Sequence, residues 1–130
     1  DIDYMHAGLS QDKRSSTIGK FRSEKLRYLI ASDVAGRGLD FSHVSHVINW
    51  DFPRYGEQYT HRTGRTGRMG RKGKAFTFVS KHDLPSLRKL LRSKKITPCW
   101  IGKDPLCENN TPQERRTQKR AIYRWKNHSG

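Results

Sequence analysis

Three short apolar runs constrain the fold most: Leu26–Ala31, Val44–Trp50 and Ala75–Val79. Each is too short for a core helix and rich in β-branched, leucine or aromatic residues, so each reads as a strand. The first is apolar almost without interruption, as in a parallel sheet buried on both faces. Ile2–Met5 reads as a fourth short strand, turned by His6-Ala7-Gly8. Helical patterns fill the gaps. Ser10 is placed to cap a helix with Asp12 in its first turn, and Arg14, Ile18 and Phe21 recur at helical spacing, Ile18 and Phe21 facing inward. Tyr55–Arg62 forms a short helix. Asp83 caps another, with Pro85 in its first turn and Leu84, Leu87, Leu90 and Leu91 as its apolar face. Strands alternating with helices imply an α/β fold, a parallel sheet with helices on both faces. In such folds ligands bind in loops beyond the carboxyl ends of the strands. Ser32–Asp40 and His61–Gly73 are the candidates for that edge.

Charge narrows the partner. The 130 residues carry a formal charge of +15 and a pI near 10.4, which suits a polyanion: nucleic acid or, less well, a membrane surface. No apolar run approaches the ~18 residues of a membrane span, and no signal-peptide pattern opens the chain, so no membrane partner is expected. Cys99 and Cys107 have no second pair and no nearby histidine, which fits neither zinc nor a disulfide framework and points to a reducing compartment. A cytoplasmic address is expected, with the nucleus or an organelle matrix as alternatives. Leu, Ile, Val and Phe supply 21 of residues 1–92 but only 4 of residues 93–130, so a folded body is expected to end near Arg92. Residues 93–130 then form a basic extension, partly helical or mobile. Within it, Thr111-Pro112-Gln113-Glu114 combines a capping box with proline at the first helical position. The helix expected there carries Arg115, Arg116, Lys119, Arg120, Arg124 and Lys126, with Ile122, Tyr123 and Trp125 among them. Such a helix suits RNA through phosphate contacts and stacking, or docks Ile122 and Trp125 on its own domain.

The stretch His61–Gly73 concentrates the chemistry. Arg62, Arg65, Arg68, Arg71 and Lys72 fall within eleven positions, and glycine recurs every third residue from Gly64 to Gly73. Arginine offers a planar fork of donors matched to phosphate, and glycine lets backbone N–H groups approach an anion closely. A phosphate grip and a loose Gly/Arg linker both fit this stretch taken alone. His43 and His46 form H-x-x-H without a third ligand and are read as coincidence.

Taken in order, four stretches resemble the second RecA-like domain of the DEAD-box RNA helicases, over residues 1 to about 92. Gln11-Asp12-Lys13-Arg14, after His6-Ala7-Gly8, is similar to the Q-x-x-R element. Ser32–Asp40 resembles motif V, T-D-V-A-A-R-G-L-D, with Ser32 for threonine and Gly36 for alanine or serine. Val47–Pro53 resembles V-I-N-Y-D-x-P, and His61–Arg68 resembles motif VI, H-R-x-G-R-T-G-R. Histidine rather than glutamine at position 61 favours the DEAD-box branch over DEAH-type and DNA-unwinding relatives.

The resemblance implies roles. Arg65 and Arg68 match arginines that reach the γ-phosphate of ATP; Gly38 and Asp40 match positions near the ribose. Gln11, Arg14 and Ser32 match positions on the RNA backbone. Arg37, His61 and Arg62 match residues that couple the two RecA-like domains. ATP and Mg2+ are expected to be held mainly by an N-terminal RecA-like domain, since the chain has no G-x-x-x-x-G-K-[ST] loop and no Asp-Glu pair. The chain is thus expected to be a fragment whose domain lacks its first strand and helix, inactive alone and completed by that partner domain. The expected partners are RNA, the N-terminal domain and a possible ribonucleoprotein assembly. The competing expectation is a non-catalytic RNA-binding or assembly module on the same fold.

Overall fold

The computed structural model describes residues 1–107 and 121–126, the last six by backbone course alone. Two compact units divide the chain, Asp1–Phe41 and Ser42–Gly130.

The first unit is built from β1 (Ile2–Met5), α1 (Gln11–Arg22), β2 (Tyr28–Ala31) and α2 (Asp33–Gly36). β1 and β2 pair in parallel, Ile2 opposite Tyr28 through Met5 opposite Ala31. Ser10 caps α1 as expected, its Oγ accepting from the Lys13 N–H at 3.3 Å. Strand alternation sends Met5 into the core, where Thr17 and Phe21 of α1 are also buried. Phe21 meets Phe41 edge to face, centroids 4.8 Å apart. Ile18, expected inward, is half-buried, and Thr17 takes the fully buried place.

The second strand is shorter than its apolar run. Leu26 belongs to the turn that closes α1, donating its N–H to the Lys20 carbonyl. The expectation of burial on both faces also fails here, because Ile2, Tyr4, Tyr28 and Ile30 are each more than half exposed. Alternation puts these four on one face of the pair, and α1 lies against the other.

The second unit holds β3 (His46–Asn49), α3 (Gly56–Thr63), β4 (Lys74–Val79), a 3-10 turn at Lys81–Asp83, α4 (Leu84–Lys94), β5 (Cys99–Ile101) and β6 (Ala121–Lys126). The sheet order is β3-β4-β6-β5. β3 and β4 are parallel, as an α/β crossover requires, whereas β6 runs antiparallel to both of its neighbours. That strand corrects the helix expected across residues 121–126. Ile122, Tyr123 and Trp125 are strand-favouring types, and β4 offers a free edge of N–H and C=O groups that a strand satisfies. The capping box at residues 111–114 lies outside the described residues.

The core of this unit gathers Tyr59, Val79, Leu87 and Leu90, with Phe52, Leu84 and Leu91 packed against it. The apolar face expected of α4 is therefore the buried one. Residues beyond Arg92 add to it: Ile96, Trp100 and Leu106 pack on the same cluster. Asp83 stands at the start of α4, but its carboxylate accepts instead from the Ser80 N–H and Oγ, at 2.7 and 2.6 Å, closing the 3-10 turn. Asn49 and Thr77, register partners on β3 and β4, satisfy each other by a buried hydrogen bond of 2.9 Å. Ile48 and Trp50 stand exposed on the opposite face, Trp50 edge-on to Phe78. No helix among the described residues is long and apolar enough to cross a membrane.

Candidate functional site

In the first unit the candidate residues lie at the carboxyl end of β2 and at the start of α1. Ser32 follows β2 directly and caps α2, its Oγ accepting from the Ala35 N–H at 3.4 Å. Arg14, one turn into α1, donates from Nη2 to the Ala35 carbonyl at 3.0 Å. Two side chains expected at RNA thus converge on one buried backbone unit, Ala35. The stretch expected to be a plain loop contains this single helical turn, and Arg14 ties it to α1. Gly36, where the motif has a larger residue, leaves room for one: a Cβ there would approach nothing nearer than 3.9 Å. Gly38 has φ +74, a left-handed conformation that favours glycine. Gln11, Ser32, Arg37, Gly38 and Asp40 are exposed and Arg14 is half-buried.

Below that loop, Asp3 on β1 collects three donors. Its carboxylate accepts from the Tyr4 N–H at 2.9 Å, from Thr17 Oγ1 at 2.9 Å and from Lys13 Nζ at 3.3 Å. The backbone N–H of Tyr4, the Thr17 hydroxyl and the Lys13 ammonium together hold its pKa below the ordinary 3.8, against a smaller upward push from desolvation.

In the second unit the Gly/Arg stretch is an ordered return from α3 to β4. Gly64 donates to the Thr60 carbonyl at 2.8 Å, and Arg65 and Thr66 donate to Arg62 and Thr63, extending α3 by tighter turns. Gly67, Met69 and Gly70 all have positive φ and reverse the chain. The linker alternative does not describe this stretch. His61 is exposed on α3, and Arg65 and Arg68 are half-buried. Arg62 grips Asp51 in the loop after β3, with Nη2 3.1 Å from Oδ2 and Nη1 donating to the carbonyl at 2.9 Å. Arg68 donates from Nε to the Gly64 carbonyl at 2.6 Å, four residues back along the chain. Arg71 donates to the Ser42 carbonyl at 3.3 Å, so it holds the loop rather than standing as free charge.

His46 stacks on Phe76 and pairs through Nδ1 with Ser45 Oγ at 2.8 Å. Among the described residues no group of three or more His, Cys, Asp or Glu side chains could hold a metal ion. Sequence reasoning gave no role to Asp3, nor to Asp51 and Thr66, although the last two stand within the matched motifs; a carboxylate inside a four-residue strand was the one signal available for the first.

The family described as helicase conserved C-terminal domain matches residues 1–70. The chain belongs to it, in the DEAD-box branch. The helicase domain is 44% identical over 94 residues to the human "Probable ATP-dependent RNA helicase DDX47", covering 71% of this chain and 21% of that protein. It is 47% identical over 91 residues to "DEAD-box ATP-dependent RNA helicase CshA" of Geobacillus kaustophilus, covering 70% and 20%. The chain thus spans about a fifth of the curated relatives it matches. Among solved structures, the E. coli DEAD-box protein SrmB bound to the regulator of ribonuclease activity A superposes with a TM-score of 0.62 at 45% identity, over 67% of this chain and 51% of that one. S. cerevisiae Dbp5 bound to RNA and ADP BeF3 gives 0.66 at 35% identity, over 71% and 25%. The fold is accordingly that of a DEAD-box C-terminal RecA-like domain.

Proposed function

We propose that this chain acts as the C-terminal half of an ATP-dependent RNA helicase that remodels or unwinds duplexes. The observation that carries the reading is the loop His61–Gly73, where Arg65 and Arg68 sit half-buried on a return anchored at both ends. A guanidinium held this way meets phosphate oxygens without first being ordered, which is what a transition-state contact needs. Arg65 and Arg68 would meet the γ-phosphate of an ATP held by an N-terminal RecA-like domain and offset the charge that develops as water displaces ADP. Arginine fingers of this kind contribute roughly 10³–10⁵ in rate. Gly38 and Asp40 would lie at the ribose, where the Asp40 carboxylate accepts from a hydroxyl.

Gln11, Arg14 and Ser32 would contact the RNA backbone. In this reading Arg14 uses the donors of its guanidinium fork other than the one directed at Ala35. Arg37, His61 and Arg62 would couple the two domains, Arg62 through the Asp51 loop it already grips. Mg2+ would be held by the partner domain, and no step is assigned to it on this chain. ATP and single-stranded RNA would draw the domains together, backbone contacts would bend one RNA strand, and hydrolysis would release it. Contacts confined to the backbone give little sequence preference and strong salt dependence.

RNA-stimulated ATP turnover, measured on the complete protein and on the isolated chain, tests this division of labour. The complete protein is expected to turn over and the isolated chain to show none. Turnover by the isolated chain would overturn the assignment. A complete protein that binds RNA without hydrolysing ATP would select the non-catalytic module instead.

A further inference from the structure

Three residues of the arginine loop have positive φ, so regular secondary structure does not hold it. Something else fixes it. Thr66 lies between Arg65 and Arg68 in sequence, is 3% exposed, and donates from Oγ1 to the Val44 carbonyl at 2.5 Å. Gly73, at the far end, is buried against it: a Cβ there would collide with the Gly67 nitrogen and with Thr66 Oγ1 and Cγ2. The next residue, Lys74, donates its N–H to the Ser45 carbonyl at 3.0 Å. Both ends of the loop are therefore fastened to residues 44 and 45, just ahead of β3.

Neither Thr66 nor Gly73 offers a charge to a ligand, and both are buried. We propose that they are positioning residues, a latch that fixes Arg65 and Arg68 by closing the loop on itself and on Val44. The effect on catalysis rests on the phosphate role given to the arginines; the effect on loop order does not. Sub-ångström placement matters at such a site, since a misplacement of about 1 Å can cost ~10² in rate.

Thr66→Val keeps the volume and removes the donor, and Thr66→Ser restores the hydroxyl. In the nucleotide-free chain, amide hydrogen exchange is read at Arg65, Thr66 and Arg71, whose N–H groups bond within the loop and the end of α3. Thr66→Val is expected to speed exchange there about tenfold while β4 amides stay protected, with Thr66→Ser within about twofold of the parent. In the complete enzyme Thr66→Val should lower kcat about tenfold or more at unchanged KM for ATP, and Thr66→Ser should recover it. Gly73→Ala should reproduce both effects of Thr66→Val. Unchanged loop exchange, equal loss of protection in β4, or failure of Thr66→Ser to recover would overturn the latch. Arg65→Lys serves as the reference. If it leaves turnover intact, the phosphate role fails and the exchange result alone judges the latch. If it abolishes turnover while Thr66→Val does not reduce it, the positioning claim is wrong.

Discussion

Asp3 shows how one side chain joins strand to helix in the first unit. Its carboxylate accepts from its own strand and from Thr17 and Lys13 of α1, and Thr17 is fully buried. Because these donors hold its folded pKa below 3.8, its contribution is complete above that value and is lost as the pH falls through the lower folded value. Asp3→Asn should therefore lower the thermal midpoint at pH 7, and the gap from the parent should close as the pH drops below 3.8. A gap that stays constant across that range would remove the carboxylate from the account. The candidate residues Arg65, Arg68, Gly38 and Asp40 were named by the resemblance of their motifs. Their supports were not. Arg62 finds Asp51 eleven residues away, Arg14 finds Ala35 twenty-one away, and Thr66 finds Val44 twenty-two away, so only folding reveals the pairs.

At the level of elements, one helix start and one helix face were read as they stand, while the cap expected from Asp83 was not. Ser10 caps α1, and α4 buries the leucine face its spacing predicts. Its last turn holds a removable cost. Lys95 ends α4 in the left-handed region, φ 51 and ψ 41, while Ile96 donates back to the Leu91 carbonyl at 3.3 Å. Glycine adopts that conformation freely, so Lys95→Gly should raise stability by about 0.5–1 kcal/mol, net of the freedom it adds to the unfolded chain. Urea unfolding checks this, and an unchanged or lower midpoint would contradict it. β6 was misread because the capping box at residues 111–114 suggested a helix continuing through residue 126. The local sequence Ile122-Tyr123-Arg124-Trp125 carried the strand signal, but the free edge of β4 that receives it is a tertiary fact. α2 escaped notice for the opposite reason. One turn of helix gives no periodicity, and only the Ser32-Asp33 start marks it.

For the whole molecule, alternation of strand and helix made the α/β class readable, but not which sheet face is covered. Ile2, Tyr4, Tyr28, Ile30, Ile48 and Trp50 are apolar by type and exposed in place, and nothing in a run such as Leu26–Ala31 says which side a helix will take. The charge of +15 fits an RNA partner without choosing where it binds. In the proposed reading, what organises the molecule chemically is the anchored loop that would present Arg65 and Arg68 to a phosphate supplied from another domain. ATP turnover and single-stranded RNA affinity, measured side by side on the complete protein carrying Arg65→Lys, address that claim most directly. Turnover is expected to fall by about 10³ or more with RNA affinity within about threefold of the parent. Turnover that survives, or an equal loss of both, would contradict it.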